Sequence, residues 1–181
     1  MNTDYTADVL GSRYKIGMWV GLASVVMLFT SLTSAYIVRS GTINDWIPLA
    51  VPRVMYGSTA LLLLSSVSIE FARRKLKHGF VESYSRYLLL TGFLGIAFLV
   101  SQFFAWRQLA QQGIYLQSNP HSSFFYLLTG VHALHVLGGL LGLTFLWLRS
   151  RRPAVADAVA IYWHFMDALW IYLFLLLFLW R

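Results

Sequence analysis

The chain has 181 residues, of which 58% are hydrophobic and 12% charged, with a mean hydropathy of +0.63; a soluble domain carries about twice that charged fraction, so this is an integral membrane protein. It has no cysteine, which excludes disulfides, thiolate metal sites, iron–sulfur clusters and c-type haem attachment for this chain. The net charge of +7 and pI near 9.9 come from basic residues between apolar runs, where topology and anionic lipid explain them better than nucleic acid does.

Five apolar runs are long enough to cross a hydrocarbon core of about 30 Å, which takes roughly 20 helical residues. The first, at about 16–38, follows a mixed N-terminus without the basic, apolar and small-residue cleavage pattern of a signal peptide, and so reads as a retained span. Its Gly17, Gly21, Ser24, Ser31 and Ala35 recur at helical spacing as a seam that lets helices approach closely in lipid. The second, at about 54–72, carries Glu70 just before Arg73 and Arg74, an i, i+3 and i, i+4 arrangement that reads as an interfacial ion pair. The third, at about 87–106, holds Gln102, expected to hydrogen-bond to another helix. The fourth, at about 124–148, contains His132 and His135, with Gly130, Gly138 and Gly142 on one face and Gly139 beside them. The fifth, at about 158–180, opens on Tyr162, Trp163, His164, Phe165, Met166 and Asp167. No linker, soluble domain or convincing internal repeat interrupts the series, which weakens a transporter built from duplicated halves. The expected fold is a single all-α domain over residues 1–181, an integral membrane bundle of five transmembrane helices.

Basic residues set the orientation. Arg13, Lys15, Arg73, Arg74, Lys75, Lys77, Arg86, Arg149, Arg151 and Arg152 fall on one side, against Arg39, Arg53, Arg107 and Arg181 on the other. Positive charge favours the cytoplasmic face, so the N-terminus is expected in the cytoplasm and the C-terminus in the periplasm. Trp46, Trp106 and Trp180 then fall at the outer interface and Trp147 at the inner one.

Ionisable groups inside a bilayer are costly and usually carry a function. His132 and His135 share one helix face, and His164 and Asp167 share another. At a rise of 1.5 Å per residue His135 lies about 20 Å from the cytoplasmic end, Asp167 about 14 Å and His164 about 9 Å. Contact between His135 and Asp167 is therefore feasible, whereas His132 and His164 are too far apart for a common four-ligand metal cage. Three readings stand: interhelical hydrogen bonds that dock the last two spans, a proton relay, and a haem or metal site.

The motifs carry a resemblance. Thr129, Gly130, His132, His135, Val136 and Gly139, followed by Tyr162, Trp163, His164, Phe165, Asp167 and Trp170, resemble the last two helices of subunit III of haem-copper terminal oxidases. Met18, Trp19, Leu22, Ala23, Ser24, Met27, Phe29, Ser34, Ala35 and Tyr36 resemble an earlier helix of that family. Thr59, Leu62, Ser65 and Ser66 resemble its Ser-Ser helix, and Gly95, Phe98, Leu99, Gln102 and Trp106 the next. All five spans are matched in order, as in bacterial versions that lack two further N-terminal helices.

The resemblance implies a non-catalytic subunit without redox cofactors in the bacterial cytoplasmic membrane. Such a subunit binds beside the catalytic subunit I that holds haem and copper, holds phospholipid and supports proton uptake. Gly17, Gly21 and Ser24, with Trp19 and Trp163, are the expected lipid or packing seam. His132, His135, His164, Asp167 and Gln102 are the expected helix-docking residues, with no catalytic, cofactor or metal-binding residue. The electron donor, cytochrome c or quinol, is chosen by other subunits. Two positions depart from the family pattern: Val25 and Ala105 stand where it has carboxylates, removing a proton-binding group and a hydrogen-bond partner at each. The departures keep open a subunit III-like component of nitric oxide reductase; a free-standing transporter or b-type haem protein is the second class.

Overall fold

The computed structural model describes the backbone of residues 3–41, 52–149 and 152–179 and, within these, the side chains of 16–41, 52–149 and 152–178. The expected interfacial positions of Trp46 and Trp180, and the side chains of Arg13, Lys15, Arg151 and Arg181, lie outside the described residues. Five helices account for nearly all of the rest: α1 (Thr3–Ser40), α2 (Val54–Lys77), α3 (Val81–Gln111), α4 (Pro120–Arg149) and α5 (Pro153–Leu179), with no strand among the described residues. Each is long and apolar enough to cross a membrane.

The helices overrun the apolar runs, because backbone hydrogen bonds continue through polar residues that hydropathy reads as loop. The α3 helix begins at Val81, its first turns polar and braced by Glu82 and Arg86 at i, i+4. Prolines open α4 and α5, where the missing N–H costs nothing. Two glycines close helices. Gly79 (φ 79°) lets Phe80 N donate to Lys75 O at 3.0 Å and Gly79 N to Leu76 O at 3.1 Å; Gly113 (φ 77°) does the same with Ile114 N to Leu109 O and Gly113 N to Ala110 O, both at 3.0 Å. These are Schellman caps, which need a left-handed residue after the last turn.

Packing follows a seven-residue repeat. The α3 helix buries Tyr84, Leu88, Thr91, Gly95, Phe98, Gln102, Ala105 and Leu109, spacings of four and three in strict alternation. The α2 helix buries Met55, Ser58, Leu62, Ser65, Ile69, Ala72 and Leu76 in the same rhythm, so the two pair along their length as an antiparallel hairpin. The α4 helix packs on α3, and α5 closes the ring by packing on both α4 and α2. The α1 helix lies outside this ring, against α4 and α5.

The face that α1 packs inward is not the small-residue seam. Leu22, Val25, Phe29, Thr33 and Tyr36 are buried, whereas Gly17, Gly21, Ser24, Ser31 and Ala35 are exposed and nothing lies within 4 Å of a Cβ built on Gly17 or Gly21. Large side chains bridge the gap to the ring and leave the small ones facing away from it. Trp19 shares the outer surface, 62% exposed, while Trp163 is in the centre of the bundle at 1%. The two tryptophans expected in one seam therefore occupy opposite environments.

Candidate functional site

The polar residues of the interior converge on one element. The α2 helix offers two pairs of hydroxyls seven residues apart, Ser58 with Thr59 and Ser65 with Ser66, and α5 offers Trp163 and Trp170 at the same interval. Trp163 Nε1 donates to Ser65 Oγ at 2.9 Å and Trp170 Nε1 to Thr59 Oγ1 at 3.0 Å. In the first layer His164 Nδ1 and Ser66 Oγ share a hydrogen bond of 2.6 Å; in the second, Gln102 Nε2 donates from α3 to Ser58 Oγ at 2.9 Å. Ser58, Thr59 and Ser65 each send their own proton back along α2, to Met55 O, Met55 O and Leu62 O at 2.7 to 2.9 Å. They accept from a neighbouring helix with the lone pair that remains. Such bonds fix rotation and depth of a helix where lipid supplies no hydrophobic force. Ser58→Ala, which strands the Gln102 amide, is expected to lower stability by about 1 kcal/mol, read as an earlier unfolding midpoint of the purified chain in a detergent titration; an unchanged midpoint would show that the amide finds another partner.

Trp163 is the pillar of this arrangement. A Cβ on Gly95 of α3 would lie 2.8 Å from its ring, and one on Gly139 of α4 would lie 3.0 Å from the ring's other edge. The two glycines admit the indole between their helices. Gly138 and Gly142 make ordinary contacts with Tyr162 and Val159 of α5, while Gly130 meets nothing within 4 Å. Of the glycine face read from the sequence, the member beside it, Gly139, makes the tightest contact.

The two histidines of α4 have separate surroundings. His132 is fully buried among the rings of Phe29, Phe98 and Trp170, at centroid distances of 6.4, 5.9 and 5.1 Å, and neither ring nitrogen has a hydrogen-bond partner. His135 turns its Nδ1 to Val131 O of its own helix at 2.8 Å and packs on Phe29 at 5.6 Å. Its carbonyl, not its ring, joins α5, accepting from Tyr162 O–H at 2.9 Å. No hydrogen bond or ion pair links His135 to Asp167. Asp167 is 4% exposed and instead faces the Ser66 hydroxyl of α2, with neither carboxylate oxygen in hydrogen-bond geometry. The depths of His135 and Asp167 permit contact along the axis; rotation of α5 about its own axis turns the Asp167 side chain away. Val25 sits in the core one turn from Phe29, whose ring meets both histidine rings. Ala105 is fully buried, and the adjacent Trp106 donates to Thr129 Oγ1 at 3.1 Å.

At the end of the bundle where α2 finishes and α5 begins, charges join the two helices. Glu70 pairs with Arg73 at 3.1 Å and Arg74 at 2.9 Å, as the spacing predicted. Arg73 also reaches Asp157 of α5 at 3.5 Å, and Lys77 reaches it at 3.2 Å. His164 Nε2 stands 3.8 Å from Glu70 Oε2. Asp157 was not singled out in the sequence; its signal was a lone acid in the second turn of a helix that follows a basic loop. At the opposite end Tyr36 O–H and His121 Nε2, both buried, lie 3.3 Å apart and tie α1 to α4. Among the described residues no group of three or more His, Asp or Glu is placed to hold a metal ion.

A family model described as cytochrome c oxidase subunit III matches residues 3–181. The chain belongs to the cytochrome c oxidase subunit III family. It is 34% identical over 176 residues to a probable cytochrome c oxidase subunit 3 of Nocardia farcinica, covering 88% of this chain and 84% of the relative. The identity is also 34% with a cytochrome c oxidase subunit 3 of Thermostichus vulcanus, over 91% of this chain and 86% of that one. It is 28% with a cytochrome bo(3) ubiquinol oxidase subunit 3 of Pseudomonas putida, over 93% and 86%. The subunit III membership accounts for five membrane-crossing helices in one chain and makes this a multi-pass membrane protein. It also gives the α2 hydroxyls and the α5 tryptophans a setting: two of the motifs that carry the resemblance, about 100 residues apart in the sequence, hydrogen-bond to each other.

Proposed function

We propose that the chain is the accessory subunit III of a respiratory haem-copper oxidase that reduces oxygen to water. It is docked in the bacterial inner membrane against the catalytic subunit I, which carries the haem and copper. The family match over residues 3–181 carries this reading. The interior supports it: Gln102, His164, Trp163 and Trp170 are committed to joining helices, as expected of a scaffold, and His132 and Asp167 remain as its polar exceptions. The exposed small face of α1, with Gly17, Gly21 and Ser24, is suited to close approach by a partner helix or lipid. A groove of about 340 Å³ between α3 and α4, lined by Leu88, Gly92, Phe93, Leu140 and Trp147, is suited to an acyl chain of a bound phospholipid. Arg73, Arg74, Lys75, Lys77 and Arg86 gather at the end shared by α2, α3 and α5, against Arg39, Arg53 and Arg107 at the other. That asymmetry supports a cytoplasmic N-terminus and periplasmic C-terminus.

Purification of the tagged chain in mild detergent, with a visible spectrum and mass identification of partners, tests the reading. The expected result is a complex containing a haem-copper oxidase catalytic subunit and retained phospholipid, with haem absorbance lost when the chain is separated from that subunit. Recovery with a nitric oxide reductase catalytic subunit would reassign the complex. Haem retained by the isolated chain, or a chain that purifies with no haem-copper partner, would overturn the proposal.

A further inference from the structure

Four groups run from the basic end of the bundle to its interior: Glu70, His164, Ser66 and Asp167. Glu70, partly exposed at 27%, and His164, at 38%, border a cavity of about 320 Å³ between α2 and α5 that Ser66 and Arg74 also line. His164 Nε2 faces Glu70 Oε2 at 3.8 Å, a gap that a water molecule or a small shift closes, and its Nδ1 holds Ser66 Oγ at 2.6 Å. Ser66 differs from Ser58, Thr59 and Ser65 in making no hydrogen bond to its own helix, so in the His164 tautomer that carries its proton on Nδ1 the Ser66 hydroxyl has its own proton to give. Asp167, one helical turn beyond His164 on α5 and with Ser66 as its hydroxyl neighbour, is at 4% exposure with neither oxygen in hydrogen-bond geometry. By helical rise Asp167 lies about 21 Å along α5 from Pro153, well inside the membrane-crossing segment. A buried acid with no partner calls for an explanation beyond packing.

We propose that Asp167 is a buried proton-loading site, filled and emptied from the basic end of the bundle through Ser66 and His164, with Glu70 as the collecting carboxylate. In loading, a water proton collected at Glu70 passes to His164 Nε2, the Nδ1 proton of His164 passes to Ser66 Oγ, and the Ser66 hydroxyl proton passes to the Asp167 carboxylate. One proton leaves water and one arrives at the acid; His164 ends neutral as the other tautomer. Unloading runs the same steps backwards and restores that tautomer, so a single-ended site needs no separate resetting step. The charges around the path are Glu70, Arg73, Arg74 and Lys77 on α2 and Asp157 on α5, with the imidazoles of His132 and His135 on α4 and the apolar Val25 and Phe29 on α1. Arg73 and Arg74 hold Glu70 at the mouth. The proposal goes beyond the accessory-subunit reading and stands on this chain's own residues.

The purified full chain in phospholipid nanodiscs, followed by infrared difference spectroscopy between neutral and acidic buffer, tests it. The expected signal is a carboxylic acid carbonyl stretch that appears on acidification, shifts in D₂O and is absent from Asp167→Asn. On rapid mixing with D₂O its exchange should slow on the order of 10-fold or more in Ser66→Ala and in Glu70→Gln, and keep the native rate in Ser66→Thr, which retains the hydroxyl. No such band at any pH, a band that persists in Asp167→Asn, or native exchange in both Ser66→Ala and Glu70→Gln would overturn it. If Asp167→Asn fails to fold, the native band and the three variants along the path decide the matter. Because no partner subunit enters the measurement, this outcome is separate from the outcome of the co-purification.

Discussion

Trp163→Ala is expected to destabilise the bundle by about 3–5 kcal/mol, the usual cost of deleting a fully buried tryptophan. The indole fills the space between α3 and α4 above Gly95 and Gly139 and donates to Ser65 of α2, so its loss opens a cavity where four helices meet. In lipid the association of helices rests on packing and hydrogen bonds because the tails are as apolar as the side chains, which leaves no hydrophobic term to absorb the void. Trp163→Phe should lose less, about 1 kcal/mol for the hydrogen bond plus the smaller ring. Unfolding of the purified chain by added denaturing detergent, followed by circular dichroism, measures both. An alanine variant no less stable than the phenylalanine one would show that the ring is not the pillar described here.

Gly95→Val is the second large effect, expected to cost about 1–3 kcal/mol through overpacking. A Cβ at 2.8 Å from the Trp163 ring and 3.1 Å from Leu140 needs one of them to move. Trp163 is held by Ser65 on one side and Gly139 on the other, so it cannot move without giving up a hydrogen bond or a contact. Gly92→Ala supplies the control within the same helix: nothing lies within 4 Å of its Cβ, and replacing glycine in a helix interior gains about 0.5–1 kcal/mol. The two substitutions should move the unfolding midpoint in opposite directions. Equal shifts would mean that loss of backbone freedom, and not the tryptophan, governs both sites.

Much of the architecture was readable before any coordinates. Five apolar runs became five helices, because a lipid environment forces each span to satisfy its own backbone hydrogen bonds. The ends were less legible: α3 starts at Val81 and α5 at Pro153, well before their apolar runs, since a helix continues through polar residues that hydropathy counts as loop. Glu70 with Arg73 and Arg74 was legible because i, i+3 and i, i+4 neighbours meet on any helix. Gln102 was expected to bond another helix, and Ser58 is its partner.

Pairings between helices were another matter. His135 and Asp167 have compatible depths, yet Asp167 faces Ser66 and His135 bonds its own helix, since axial rise says nothing of how far each helix is rotated about its axis. The seam of Gly17, Gly21 and Ser24 was legible as a pattern, but whether it faces the ring or the outside depends on which side of α1 meets α4 and α5. Trp19 and Trp163 look alike in sequence and differ from 62% to 1% in exposure.

By itself, then, the sequence determined that this chain has five segments long and apolar enough to cross a membrane, that its polar residues repeat at helical intervals, and which family its motifs resemble, because hydropathy and helical periodicity are local properties of the chain. Only the tertiary structure decided that the hydroxyls of α2 receive the tryptophans of α5 and that Asp167 is left buried without a hydrogen-bond partner. Those relations depend on the mutual rotation of helices packed through Gly95, Gly139 and Trp163, and that rotation is set by side-chain volumes meeting across distant segments. The His and Asp pairs are alike in spacing, and the packing gave each member a different neighbour.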